Sequence, residues 1–170
     1  MKKLLISAGA LTALALSTPA FAATPANQAS ATATVNIVSP LTLTNVTGLN
    51  FGTVVAGPAG FAGEVVHIDT TGLRTCPATL TCSGATVTAA SFTVTGTADQ
   101  NLVLTIPNSV TLNGSVSGTL NVDLSGDKPA DPTLDGTGNA GFAIGGKLTI
   151  PAGTVDGVYS NTFDVTANYQ

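Results

Sequence analysis

A chain of 170 residues with only 8% charged side chains, five basic and nine acidic, has no cluster of Lys and Arg for nucleic acid or an anionic membrane surface. Thr, Val, Ala, Gly, Ser and Asn dominate, Trp is absent and Glu occurs once, so strand formers far outnumber helix formers. So few charges also limit the solubility of a free monomer and favour a place inside an assembly.

The chain opens with Met1, Lys2 and Lys3, an apolar run from Leu4 to Leu16, and the small-residue pair Ala20 and Ala22 around Phe21. This is the pattern of a secretory signal peptide with an A-x-A cleavage site, so residues 1–22 are expected to be removed and the mature chain to begin at Ala23. No later run approaches the roughly 20 apolar residues of a membrane-spanning helix, so no direct membrane insertion is expected. Arg74, Lys128 and Lys147 are then the remaining basic residues against nine carboxylates. Residues 23–38 are expected to form an N-terminal extension and 39–170 a single domain.

Short alternating runs punctuated by Gly, Pro, Asn and Asp follow at residues 31–38, 41–46, 49–55, 64–68, 86–95, 101–106, 110–112, 115–124, 142–150 and 158–169. Strands at this spacing with no helical periodicity predict an all-β protein, a β-sandwich. In the first run Ala29, Ala31, Ala33, Val35 and Ile37 share one face and Ser30, Thr32, Thr34 and Asn36 the other. The last run alternates likewise, with Phe163, Val165, Ala167 and Tyr169 on one face. Asn113-Gly114 predicts a two-residue hairpin turn. The Pro/Asp/Gly-rich stretch 125–141 predicts an exposed excursion. Its Asp127, Asp131 and Asp135 offer a weak Ca²⁺ site as the alternative to a solvated loop, though the EF-hand spacing and its terminal Glu are missing.

Cys76 and Cys82 lie six residues apart in an exported chain and predict a disulfide closing a small loop. Two thiolates and the single histidine, His67, fall short of the four ligands of a structural Zn²⁺ site, so no metal and no cofactor are expected. His67 would have to be the base of any Ser/His/Asp triad, and it sits in a strand-like run with no nucleophile elbow nearby. Gly136 to Gly141 fits G-x-G-x-x-G but lacks a preceding strand and a following helix. Gly141 to Lys147 fits G-x-x-x-x-G-K, with Leu148 where a Mg²⁺-binding hydroxyl would be needed. No catalytic residues are assigned and no enzyme activity is expected.

Two sets of residues at the ends of the domain resemble chaperone-usher pilins of the archaic, spore-coat-U-like type and a related proteobacterial family of secreted domains. At the N-terminal end these are residues 31–38 and Leu49-Asn50-Phe51-Gly52-Thr53; at the other, Asp156-Gly157-Val158-Tyr159 and 163–170. The archaic pilins usually carry a Cys soon after the first of these segments, whereas Ser39-Pro40-Leu41 has none. The resemblance implies an incomplete immunoglobulin-like sandwich completed by donor-strand exchange. Ala29, Ala31, Ala33, Val35 and Ile37 would form the donor strand, and Phe163, Val165, Ala167 and Tyr169 the acceptor groove. It also implies identical or related pilin subunits as partners, a periplasmic chaperone, an outer-membrane usher, and export to a cell-surface fimbria. Two alternatives stand beside it. Residues 29–38 can be the domain's own first strand, and the protein can be a self-contained secreted sandwich acting as an adhesin or carbohydrate-binding module.

Overall fold

The computed structural model describes residues 27–84 and 86–170. The expected signal peptide, residues 1–22, and the start of the extension lie outside the described residues. The chain divides into two units, Met1–Asn36 and Ile37–Gln170. The described residues of the first, 27–36, contain no helix or strand and are exposed.

The second unit is built from strands alone, and each of its ladders is antiparallel. In chain order they are β1 (Thr42–Thr47), β2 (Thr53–Ala56), β3 (Glu64–Ile68), β4 (Arg74–Thr75), β5 (Leu80–Ser83), β6 (Ala90–Thr95) and β7 (Leu102–Thr105), followed by β8 (Ser109–Gly114), β9 (Thr119–Asp123), β10 (Asn139–Ile144), β11 (Gly146–Ile150), β12 (Tyr159–Ser160) and β13 (Thr166–Tyr169). One sheet has the order β1-β6-β10 and the other β12-β8-β9-β11-β3-β4, while β13 pairs β7 and β2 pairs β5 separately. The fold is therefore an all-β sandwich. Among the described residues no helix is long and apolar enough to cross a membrane.

Period-two patterning decides which faces meet. Ala90, Phe92 and Val94 of β6 are buried between the outward-facing Ser91, Thr93 and Thr95. On the other sheet Leu120 and Val122 of β9 and Leu148 and Ile150 of β11 do the same. Phe92 and Phe142 stand directly opposite in the β6–β10 ladder, and their rings stack at 5.2 Å. The chain passes from one sheet to the other through Gly145 alone, between β10 and β11. A Cβ there would collide with the Ile68 carbonyl, so the close backbone crossing requires glycine.

Several expectations are corrected. The hairpin forms, but Asn113 is still paired, with Thr119, and the chain reverses at 115–118, where the Gly114 amide donates to the Gly118 carbonyl at 3.0 Å. The stretch 125–141 is no free excursion. Leu134 is buried within it, and backbone bonds from Leu102 to Pro132 and from Leu134 to Gln100 lash it to the start of β7. One apolar residue in a polar loop was enough to anchor it. The run 142–150 is two strands in two sheets, and 158–169 is β12 and β13 separated by unpaired residues 161–165. Strands β4 and β5, around the two cysteines, are too short to show a period.

Candidate functional site

The Leu49-Asn50-Phe51-Gly52-Thr53 segment makes a corner rather than a strand. Asn50 exchanges two backbone bonds with Thr88, at 2.9 and 3.1 Å, and its Oδ1 accepts from the Gly52 amide at 2.8 Å. Gly52 has φ of +73°, a left-handed conformation that favours glycine, and an added Cβ would lie 2.6 Å from Arg74 Nη1. That guanidinium nitrogen donates to the carbonyls of Phe51 and Ser83. The corner thus turns Phe51 inward, where it is 8% exposed.

Across from this corner runs the segment 154–163. It is held to the β8–β9 hairpin by Ser115, whose amide donates to the Val158 carbonyl at 2.8 Å. Asn161 Nδ2 donates to the Thr111 carbonyl at 2.7 Å, and the Tyr159 hydroxyl donates to the Val155 carbonyl at 2.7 Å. Against this segment lies a cleft of about 1190 Å³, with Asn45 and residues 47–54 forming the opposite wall.

Its floor is the core of the sandwich: Phe92, Val110, Leu120, Val122, Leu148 and Ile150 come from both main sheets. The volume exceeds the roughly 300–1,000 Å³ of an ordinary small-molecule pocket. Among the described residues β1, along this wall, pairs only with β6, and no strand lies beside its other edge. Asp156 is the one charged side chain among the described lining residues. The chemistry on offer is therefore an apolar trough bordered by free main-chain hydrogen-bonding groups, which suits an extended neutral peptide. An anionic ligand would find no charged partner among the described lining residues.

The residues expected to form an acceptor groove are divided. Phe163 lines the cleft. Val165, Ala167 and Tyr169 are half-buried against the core but lie outside it, because β13 has turned to pair with β7. Ala167 and Tyr169 instead border a shallower hollow with residues 38–41. The expected donor residues Ala29, Ala31, Ala33, Val35 and Ile37 are all exposed and in no strand, with Val35 at 83% and Ile37 at 84%. The main wall and floor, Asn45 and residues 47–54 with β8, β9 and β11, were not singled out from sequence. Only the L-N-F-G-T motif hinted at them.

Cys76 and Cys82 are joined in a disulfide. Asp127, Asp131 and Asp135 are not brought together. Asp127 Oδ1 lies 2.8 Å from His67 Nε2, Asp131 Oδ1 accepts from the Leu104 amide, and Asp135 Oδ1 accepts from the Thr137 hydroxyl and amide. Among the described residues no three His, Cys, Asp or Glu side chains are grouped to hold a metal ion.

A family model described as "Domain of unknown function (DUF4402)" matches residues 41–169. No curated protein and no solved structure matches the chain.

Proposed function

We propose that this chain, which belongs to the DUF4402 family, is the structural subunit of an extracellular polymer in which the N-terminal segment of one copy fills the open cleft of the next. The observation that carries this reading is the cleft itself. A trough of about 1190 Å³ floored by core side chains, beside a strand that among the described residues is paired on one edge only, is what a sandwich short of one strand would present. Exposing that much apolar surface is unfavourable, at roughly 25 cal/mol per Å². An incoming strand would cover it and pair its main chain with the free edge.

The segment preceding the domain has the matching chemistry. Ala29, Ala31, Ala33, Val35 and Ile37 present small and medium apolar side chains at period two, with hydroxyl and amide side chains between them and no charge from Ala22 to Phe61. Donation from copy to copy is a heterologous, head-to-tail contact, which generates an open filament. The disulfide suits an oxidising compartment outside the cytoplasm. In this reading the subunit is an immunoglobulin-like pilin. It is exported, held by a periplasmic chaperone that covers the cleft, and polymerised at the outer membrane through an usher into a surface fimbria.

The test is to compare the mature chain, residues 23–170, with the same chain lacking residues 29–37. The intact chain is expected to form heat-labile but detergent-resistant ladders on an unheated gel, and the deleted chain only monomers that retain strand circular dichroism. Strictly monomeric intact protein at high concentration, together with an unfolded deletion variant, would make residues 29–37 the domain's own strand and overturn the reading.

A further inference from the structure

The point where the extension leaves the domain is clamped. The Tyr169 hydroxyl donates to the Ser39 carbonyl at 2.7 Å and accepts from the Thr97 amide at 2.8 Å, while the Ser39 amide donates to Thr97 Oγ1 at 2.6 Å. Ser39 is thereby tied through both its main-chain groups to the connection after β6 and to the final strand. The fit around the hydroxyl is close. A Cβ on Gly96 would collide with the Tyr169 oxygen and lie 2.7 Å from Leu41 Cδ2, so glycine is what lets the ring reach this point.

We infer that this clamp of Tyr169, Thr97 and Ser39 keeps Val35 and Ile37 out of their own cleft and so directs the extension to a second copy of the chain. The inference rests on the donor-strand reading above. Its argument is one of reach. The cleft wall on β1 begins at Asn45, and from Leu41 to Asn45 an extended strand covers about 13 Å. With Ser39 held, Ile37 can travel no more than about 7 Å from it and Val35 about 14 Å, even fully extended. To enter its own cleft the chain must also reverse direction, which uses at least two residues in a tight turn. The two largest side chains of the segment therefore cannot be seated at home, whereas nothing in the clamp limits their reach into another copy.

Releasing Ser39 would free Ser39 and Pro40, leaving Leu41 packed on the core, and lengthen the tether enough for the segment to fold back. Tyr169→Phe keeps the ring in place and removes only the hydroxyl. Thr97→Val removes the other acceptor at constant shape, and Thr97→Ser restores it. A fluorescent synthetic peptide of residues 27–38 reports whether a cleft is free.

In the full mature chain, Thr97→Val is expected to slow polymerisation about fivefold, the factor corresponding to one net hydrogen bond, and Tyr169→Phe, which removes two, at least as much. The monomers that accumulate should fail to take up the peptide, and Thr97→Ser should behave as wild type. Acceptor competence is measured separately on the Val35→Asp chain, whose own segment cannot insert. It should bind the peptide equally well with and without Tyr169→Phe. Wild-type polymerisation rates in both clamp variants, with the peptide still bound by the Val35→Asp chain, would overturn the clamp while leaving the donor-strand reading intact. Failure of that chain to bind the peptide would overturn both.

Discussion

Arg74 and Phe51, separated by 23 residues, are joined by a hydrogen bond of 2.8 Å from the guanidinium Nη1 to the Phe51 carbonyl, and the same nitrogen reaches Ser83 O at 2.9 Å. One cation therefore satisfies two carbonyls at the corner that carries the cleft wall. Arg74→Met should leave both without this donor and destabilise the domain by about 1–3 kcal/mol, at the lower end because Arg74 is only half-buried. Gly52→Ala should cost a similar amount, about 1–3 kcal/mol, from its positive φ and from contact with Arg74 Nη1. Both are read as shifts of the urea midpoint, and an unmoved midpoint would mean that the corner is not built this way.

Val35→Asp should separate stability from assembly. Val35 is 83% exposed, so the monomer's unfolding midpoint should change by no more than about 0.5 kcal/mol. Polymer should be absent, because the carboxylate would have to be buried unpaired in an apolar trough. Ladders of normal length from this variant would place Val35 outside the interface.

Phe163→Ala truncates a half-buried ring in the wall of the cleft. The loss of stability should fall below the roughly 3–5 kcal/mol of a fully buried Phe. Affinity for the peptide of residues 27–38 should fall more steeply than stability does. Isothermal titration against the Val35→Asp background, beside a urea titration, distinguishes the two effects. Equal losses would make Phe163 a packing residue only.

The Cys76–Cys82 disulfide closes a loop with a sequence separation of 6. In the chain-entropy model so short a loop is worth about 2 kcal/mol. Alkylation and mass spectrometry of exported protein should find no free thiol. Cys76→Ser should still fold, with its midpoint lowered by that modest amount. A variant that fails to fold would show that the link also holds β4 and β5 in place.

Four carboxylates should give the domain an acid limit. Hydroxyls of Thr71, Ser125 and Thr137 donate to Asp69, Asp123 and Asp135, and the Ala62 amide donates to Glu64, so each is held below its ordinary value of 3.8 for Asp or 4.5 for Glu. The unfolded chain then binds more protons than the folded one just below those values, so stability is fully present above them and lost as pH falls through the folded values. The melting temperature should be level between about pH 5 and 7 and fall below about pH 4. Asp135→Asn should flatten part of that slope. A slope unchanged in the variant would assign the acid limit to the other carboxylates.

The all-β class was legible because patterning is local. Strands such as Glu64–Ile68 and Ala90–Thr95 announce which side chains face inward through alternation alone, and the disulfide follows from two cysteines close in a chain read as exported. Alternation says nothing about whether a neighbour exists. Residues 29–37 and Phe163 to Tyr169 carry equally regular patterns, yet the former are unpaired and exposed while the latter divide between a cleft wall and a ladder with β7. A strand is defined by hydrogen bonds to a partner distant in sequence, and such partners are chosen by the packing of the whole domain. For that reason the sequence by itself determined the all-β class, the inward faces of strands such as β3 and β6, and the alternation of the N-terminal segment. Only the tertiary structure decided that β1 pairs, among the described residues, on one edge only, that Gly145 hands the chain from one sheet to the other, and that Tyr169 grips Ser39.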